Sequence, residues 1–207
     1  ERILPPGHPD RVKSLSAVAL SSQATGNLRE AESYARRAVE AAEASLPADH
    51  IERGYAYQRL AEVRREQGEY AESRTLHERA LAILEHAFGP DASATLTAKH
   101  ALLLSLVFGG DYRDATRVAR ECLDAYHRHR SAPSDVGSAL DDFAWTQFRL
   151  GQQDSALANE REAYALLNSS LGPARSLTVS VLTNLAAMEA GAGHFAIADS
   201  LYGRAVE

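Results

Sequence analysis

A glycine returns along this chain at an almost constant interval. It stands at Gly26, Gly68, Gly110, Gly151 and Gly193, in steps of 42, 42, 41 and 42 residues. The segments around it, ATGNLREA, EQGEYAES, FGGDYRDA, RLGQQDSA and GAGHFAIA, place a small residue five positions after each glycine. Turn residues keep the same period at Pro5-Pro6-Gly7, Pro47-Ala48-Asp49, Gly89-Pro90-Asp91, Ala132-Pro133-Ser134 and Gly172-Pro173-Ala174. Two series locked to one spacing mark an array of like units. A single such unit cannot bury its own apolar face and must stack on a neighbour.

Each unit carries two helical stretches. Apolar residues fall at i, i+3, i+4 and i+7, as with Leu96, Leu103 and Leu106 in one stretch and Leu76, Ala80, Leu81 and Leu84 in another. The spacing predicts a first helix, A, over 9–25, 50–67, 91–109, 133–150 and 174–192. It predicts a second, B, over 28–46, 70–88, 112–130, 153–170 and 195–207. The glycine between them supplies the positive φ of a tight reversal. Proline in the HPD and GPD segments suits a first helical turn. Tyr70, with Leu28, Tyr112 and Phe195, is expected to plug the gap between the paired helices. Ala31, Ser73, Ala115, Ala156 and Ala198 let the helices approach closely, since packed helices lie about 8–10 Å apart. Ala38, Ala80, Cys122, Ala163 and Ala205 form a second small column, which makes Cys122 a packing residue. Glu30, Glu72 and Asp114 fall in the first turn of helix B, where acids complement the helix dipole.

The pattern G-x-Y/F followed by small residues resembles the tetratricopeptide repeat. The 42-residue period, the GPD and GP turns and LTNLAAM at 182–188 are similar to the longer variant of kinesin light chains, which many bacterial signalling proteins carry. The resemblance covers essentially the whole chain. It departs where Gln153 and Leu28 replace the aromatic. It implies an all-α fold, an α-α superhelix of about five hairpins over repeats 8–46, 50–88, 91–130, 133–170 and 174–207. It also implies a concave groove lined by the A helices that holds a protein or peptide ligand.

Composition narrows the function further. The chain is 45% hydrophobic and 24% charged, within the globular range. Its net charge is −6 with the signs interspersed, so no basic stripe addresses a phosphate backbone and nucleic acid is not an expected partner. Membrane insertion is not expected either, since no apolar run approaches the roughly 18 residues needed to span a bilayer. A single cysteine excludes an intrachain disulfide. The eight histidines form no HExxH motif, and no nucleophile elbow or phosphate-binding loop occurs, so neither a metal nor a cofactor nor catalysis is expected. His8 and His50 look like helix-start residues. Twenty arginines against Lys13 and Lys99, with abundant alanine, fit a GC-rich bacterial genome.

Helix A positions turned away from helix B form columns across the repeats. They run Ser16, Gln58, His100, Asp141, Thr183; then Ala17, Arg59, Ala101, Asp142, Asn184; then Leu20, Glu62, Leu104, Trp145, Ala187; then Gln23, Arg65, Val107, Phe148, Ala190. The candidate binding residues are Tyr55, Gln58, Arg59, Glu62 and Arg65 at a polar end. The others are His100, Leu104, Phe108, Asp141, Trp145, Phe148 and Asn184. Phe108, Phe148 and Trp145 either line the groove as a hot spot or pack between repeats. Asn184 and Gln58 could hold a ligand's backbone. Asp141-Asp142 either reads a basic group or is a solvated pair, because a solenoid surface is not expected to bury it.

ERIL at 1–4 reads as the tail of a preceding helix B. The chain is therefore expected to be part of a longer array, with terminal repeats open to end-to-end self-association. Two functions fit: an interaction module with a peptide in its groove, and a regulatory arm of a larger bacterial signalling kinase or NTPase. A cytoplasmic location is expected for either.

Overall fold

The computed structural model describes residues 8–129 and 131–206. The ERIL segment, the first turn Pro5-Pro6-Gly7, Arg130 and Glu207 lie outside the described residues. Ten helices alternate along the rest, with no strand among the described residues. The A helices are α1 (Pro9–Ala24), α3 (Ile51–Glu66), α5 (Ser93–Gly109), α7 (Pro133–Arg149) and α9 (Ser176–Gly191). The B helices are α2 (Leu28–Ser45), α4 (Tyr70–Phe88), α6 (Tyr112–Arg128), α8 (Gln153–Leu171) and α10 (Phe195–Ala205).

The helix ends follow from local chemistry. His8 and His50 are N-caps, and each accepts a backbone N–H on Nδ1 at 3.2 Å, from Asp10 and Glu52 respectively. Pro9 and Pro133 begin their helices, where no amide bond is lost. Gly110 ends α5 in the left-handed region, at φ 83° and ψ 8°, and its N–H reaches the carbonyls of Leu106 and Val107. A β-carbon is costly in that conformation. α5 and α9 begin later than the sequence spacing predicts. Gly89-Pro90 and Gly172-Pro173 lie in the turns before them, and Gly89 takes φ 90°.

The chain divides into two compact units, residues 1–110 and 111–207. In the first, α1 packs on α2, α3 on α4, and each B helix on the following A helix; α1 also contacts α3, and α3 contacts α5. In the second, the same order joins α6 through α10, and α7 contacts α9. The helix-to-helix seams are made of small residues. Ala31, Ser73, Ala115 and Ala156 are fully buried and Ala198 nearly so. Leucines fill the remaining space, among them Leu60 and Leu76 in the first unit and Leu157, Leu182 and Leu185 in the second.

Polar side chains pin neighbouring repeats in register. In the first unit, buried Arg64 of α3 donates to Glu32 of α2 at 2.8 Å and pairs with Glu72 of α4 at 3.0 Å. In the second unit, the equivalent position holds Glu189 of α9, which accepts from Arg161 of α8 and meets His194 at 2.7 Å. Burial pushes the Glu189 carboxyl up, but bonds from His194 and Arg161 outweigh it and leave it below the usual range. The same A-helix position thus carries opposite charges in the two units, with partners at different places on the B helices.

The residue two places after the glycine reaches beyond its own hairpin in repeats 2 to 4. Tyr70 stacks on Phe108, at the end of the next A helix, with ring centroids 6.1 Å apart. Tyr112 lies under the guanidinium of Arg149, at the end of α7, at 4.4 Å. Gln153 reaches the Gly191 carbonyl at the end of α9 at 3.5 Å. These partners occupy equivalent repeat positions, so the contact joins one repeat to the next. Phe195 has no such partner among the described residues and is 72% exposed.

His77 is sealed inside the first unit. Its Nδ1 lies 2.9 Å from Ser105 Oγ, and Ser105 lies 2.8 Å from Ser73, which donates to the Ala61 carbonyl at 2.7 Å. Burial, with the nearby Arg65 charge, pulls the imidazole down to about 4. The fold therefore holds the neutral ring. Its contribution is complete above the unfolded value of about 6.5 and is lost as pH falls toward 4, at a limit of roughly 3 kcal/mol. Urea unfolding of the first unit followed across pH is expected to show this acid arm. His77→Asn, which cannot titrate, is expected to flatten it.

Candidate functional site

A helix in a stack has few free sides. In the first unit α3 meets α1, α2, α4 and α5; in the second, α7 meets α6, α8 and α9. A lengthwise strip of each remains. None of the residues in the four columns expected to line a groove is buried. Tyr55 is 38% exposed, Phe108 is 54% exposed and His100 is exposed. Gln58, Arg59, Glu62, Arg65, Leu104, Asp141, Trp145, Phe148 and Asn184 are partly exposed.

In the first unit the strip is a polar network. Gln23 donates to Glu66 at 2.6 Å and accepts from Arg59 at 3.5 Å, while Arg59 also binds Glu62. Burial raises the Glu62 carboxyl, against the pull of Arg59 and Arg65. These bonds cross from α1 to α3 and fix the side chains in one arrangement. Arg65 lies 5.6 Å from the centre of the Phe108 ring, on which Tyr70 also stacks. Phe108 is therefore both a packing contact and an exposed apolar surface.

In the second unit Trp145 and Phe148 sit together, with centroids 6.2 Å apart, and both pack on the core formed by Leu157, Leu182 and Leu185. Phe148 belongs chiefly to the seam between α7 and α9. A β-carbon on Gly191 would come within 2.7 Å of the end of its ring, so the glycine is the cradle for that ring. Asn184 of α9 donates to Asp141 of α7 at 2.9 Å. Asn184 and Asp141 are thus tied across neighbouring A helices, an arrangement the sequence columns placed side by side.

The expectation that this surface does not bury acids needs correction. Burial raises the Asp141 carboxyl above its usual range, against hydrogen bonds from Asn184 and Glu160. Behind it lies Glu160 of α8, which has no exposed surface and shares a hydrogen bond with Asp141. Burial, then the charge of Asp141 and the hydrogen bond with it, then the charge of Asp142, push Glu160 up to about 10. It is a neutral acid at physiological pH. Sequence reasoning missed it, although a signal was present: Glu160 occupies the repeat position of Ala35, His77 and Ala119, all buried.

The Ser73–His77–Ser105 cluster has the atoms of a nucleophile and its base, but all three residues are at most 1% exposed. No substrate reaches them, and they serve packing. Among the described residues no group of His, Cys, Asp and Glu could hold a metal ion. No helix among them is long and apolar enough to cross a membrane.

Paired antiparallel helices repeated at this interval, with an open strip on every A helix, define a helical-hairpin repeat protein. The tetratricopeptide repeat model matches residues 10–85 and 52–128, and the chain belongs to that family. Its fold is similar to that of a Podosopora anserina putative kinesin light chain with nearly identical TPR-like repeats, at 18% identity and TM-score 0.85, over 96% of this chain and 94% of that one. It is also similar to BtubC (BKLC) from P. vanneervenii, at 22% identity and TM-score 0.76, over 95% and 79%. A Rap protein complexed with competence and sporulation factor matches at 15% identity and TM-score 0.73, and the match covers 95% of this chain and 53% of that one. No curated protein matches the sequence.

Two substitutions probe the second unit. Gly191→Ala is expected to destabilise it by about 1–3 kcal/mol, the usual effect of overpacking, read as a lower thermal midpoint. Glu160→Gln is expected to act in the opposite direction. The stability that neutral Glu160 confers is complete below pH 4.5 and is lost as pH rises toward 10. Gln is therefore expected to raise stability at pH 7 by up to ~3 kcal/mol and to change nothing at pH 4, by urea unfolding at both values.

Proposed function

We propose that the chain is a binding module whose A-helix strips take an extended segment of a partner protein or peptide. The observation that carries this reading is the exposure pattern. The strips of α1, α3 and α5 in one unit, and of α7 and α9 in the other, remain open. Polar side chains on α1 and α3, and on α7 and α9, are held by hydrogen bonds instead of being loose in solvent. Preorganised polar groups beside a partly exposed aromatic suit a ligand with both backbone and side-chain handles. The net charge of −6 favours a protein ligand over nucleic acid. The Rap neighbours supply an analogy: one is complexed with competence and sporulation factor, another with the Phr* peptide.

A segment selected from a random peptide library, then mapped by amide chemical shifts, tests this reading. Its footprint is expected on the A helices. Trp145→Ala is expected to weaken a segment bound to the second unit by about 2 kcal/mol or more, by titration calorimetry. Leu104→Ala does the same for one bound to the first unit. A footprint confined to the B helices overturns the reading.

A further inference from the structure

Two contacts of α3 in the first unit depend on a neutral imidazole. His50 caps the start of α3, where its Nδ1 accepts the N–H of Glu52 at 3.2 Å. Only the neutral ring has a lone pair on that nitrogen. A protonated ring loses the cap and sets a cation against the positive end of the helix dipole. His77 is the second case. Its Nδ1 lies 2.9 Å from Ser105 of α5, and Ser105 meets Ser73, which donates to the Ala61 carbonyl of α3. The ring is 1% exposed, so a charge there has no solvent to stabilise it. A proton thus acts on α3 both at its first turn and at Ala61.

The surrounding charges favour neither imidazolium. Asp49, Glu52 and Arg53 adjoin His50 in the chain, and Lys13 faces them from α1. Lys13 lies 3.6 Å from the Glu52 carboxylate, and Arg53 donates to the Leu46 carbonyl and to Tyr57. The charge acting on His77 is Arg65 of α3, which opposes a second cation. His86, in the last turn of α4, meets the negative end of its own helix and takes no part. His8 makes the same cap on α1, but Asp10 Oδ2 lies 3.5 Å from its Nδ1, so protonation there gains an ion pair. The second unit carries the opposite arrangement. His194, the N-cap of α10, has its Nδ1 2.7 Å from buried Glu189, which also holds Arg161 of α8. Protonating His194 turns that bond into an ion pair and strengthens it.

We propose that the first unit is a pH-sensitive clamp on α3, released through His50 and His77 as the solution passes below the histidine range, while the second unit holds. α3 carries Tyr55, Gln58, Arg59, Glu62 and Arg65. Under the A-helix binding reading above, a segment bound to that strip is let go on acidification. The response of α3 itself does not depend on that reading.

Amide hydrogen exchange of the full chain, corrected for intrinsic rates, tests the clamp at about pH 7.5 and about pH 5, on either side of the histidine range. Protection over the first two turns of α3 is expected to fall about fivefold or more, the usual effect of a lost cap. Protection of α9 is expected to hold or rise. His50→Asn keeps a capping side chain and cannot titrate, so it is expected to remove the fall at the start of α3. His77→Asn is expected to remove the remaining fall in the rest of α3. An unchanged α3, an equal loss in α3 and α9, or a fall at the start of α3 that persists in His50→Asn each overturns the clamp. A segment that stays equally bound to the first unit at both pH values, while α3 loses protection, overturns the link to binding alone. If no segment binds any A helix, the binding reading fails, and the exchange result still decides the clamp.

Discussion

The close approach of two helices through a column of small side chains is what the architecture depends on. Where Ala31, Ser73, Ala156 and Ala198 face the partner helix, the backbones come near enough for larger neighbours to interlock beside them. A leucine at any of these places would hold the helices apart and break the contact that the next repeat copies. Alanine also suits a helix interior by propensity. Local preference and tertiary packing therefore ask for the same residue, as they do in sequences that fold without competing states.

Around that seam the units differ in how they treat buried polarity. One register pin is an arginine on the A helix held by glutamates, and its equivalent is a glutamate held by an arginine and a histidine. One inward position of the B helix carries His77, whose Nδ1 meets a serine, and another carries Glu160, which shares a hydrogen bond with Asp141. The fold keeps both groups neutral, and for the same reason. Ionisation within a packed seam has no solvent to stabilise it, so the base shifts down and the acid shifts up.

The candidate surface follows from geometry more than from any single residue. Within each unit, an A helix flanked by B helices and by a neighbouring A helix has one strip left. Side chains there escape the packing that fixes the core and vary in chemistry from one repeat to the next. The first unit offers a closed network of arginine, glutamate and glutamine; the second offers tryptophan and carboxyls.

The sequence by itself determined the repeat, the ten helices to within a few residues, the reversing glycines and the small-residue seams. It could do so because helical periodicity, the need for positive φ and the need for a small contact are local demands, written again in every unit. Only the tertiary structure decided that Tyr70 and Tyr112 reach across to the next A helix, that Phe148 rests in the cradle of Gly191, and that Asp141 has Glu160 behind it. Those contacts join residues far apart along the chain, and a spacing rule cannot say how deeply a carboxyl lies or which charges face it.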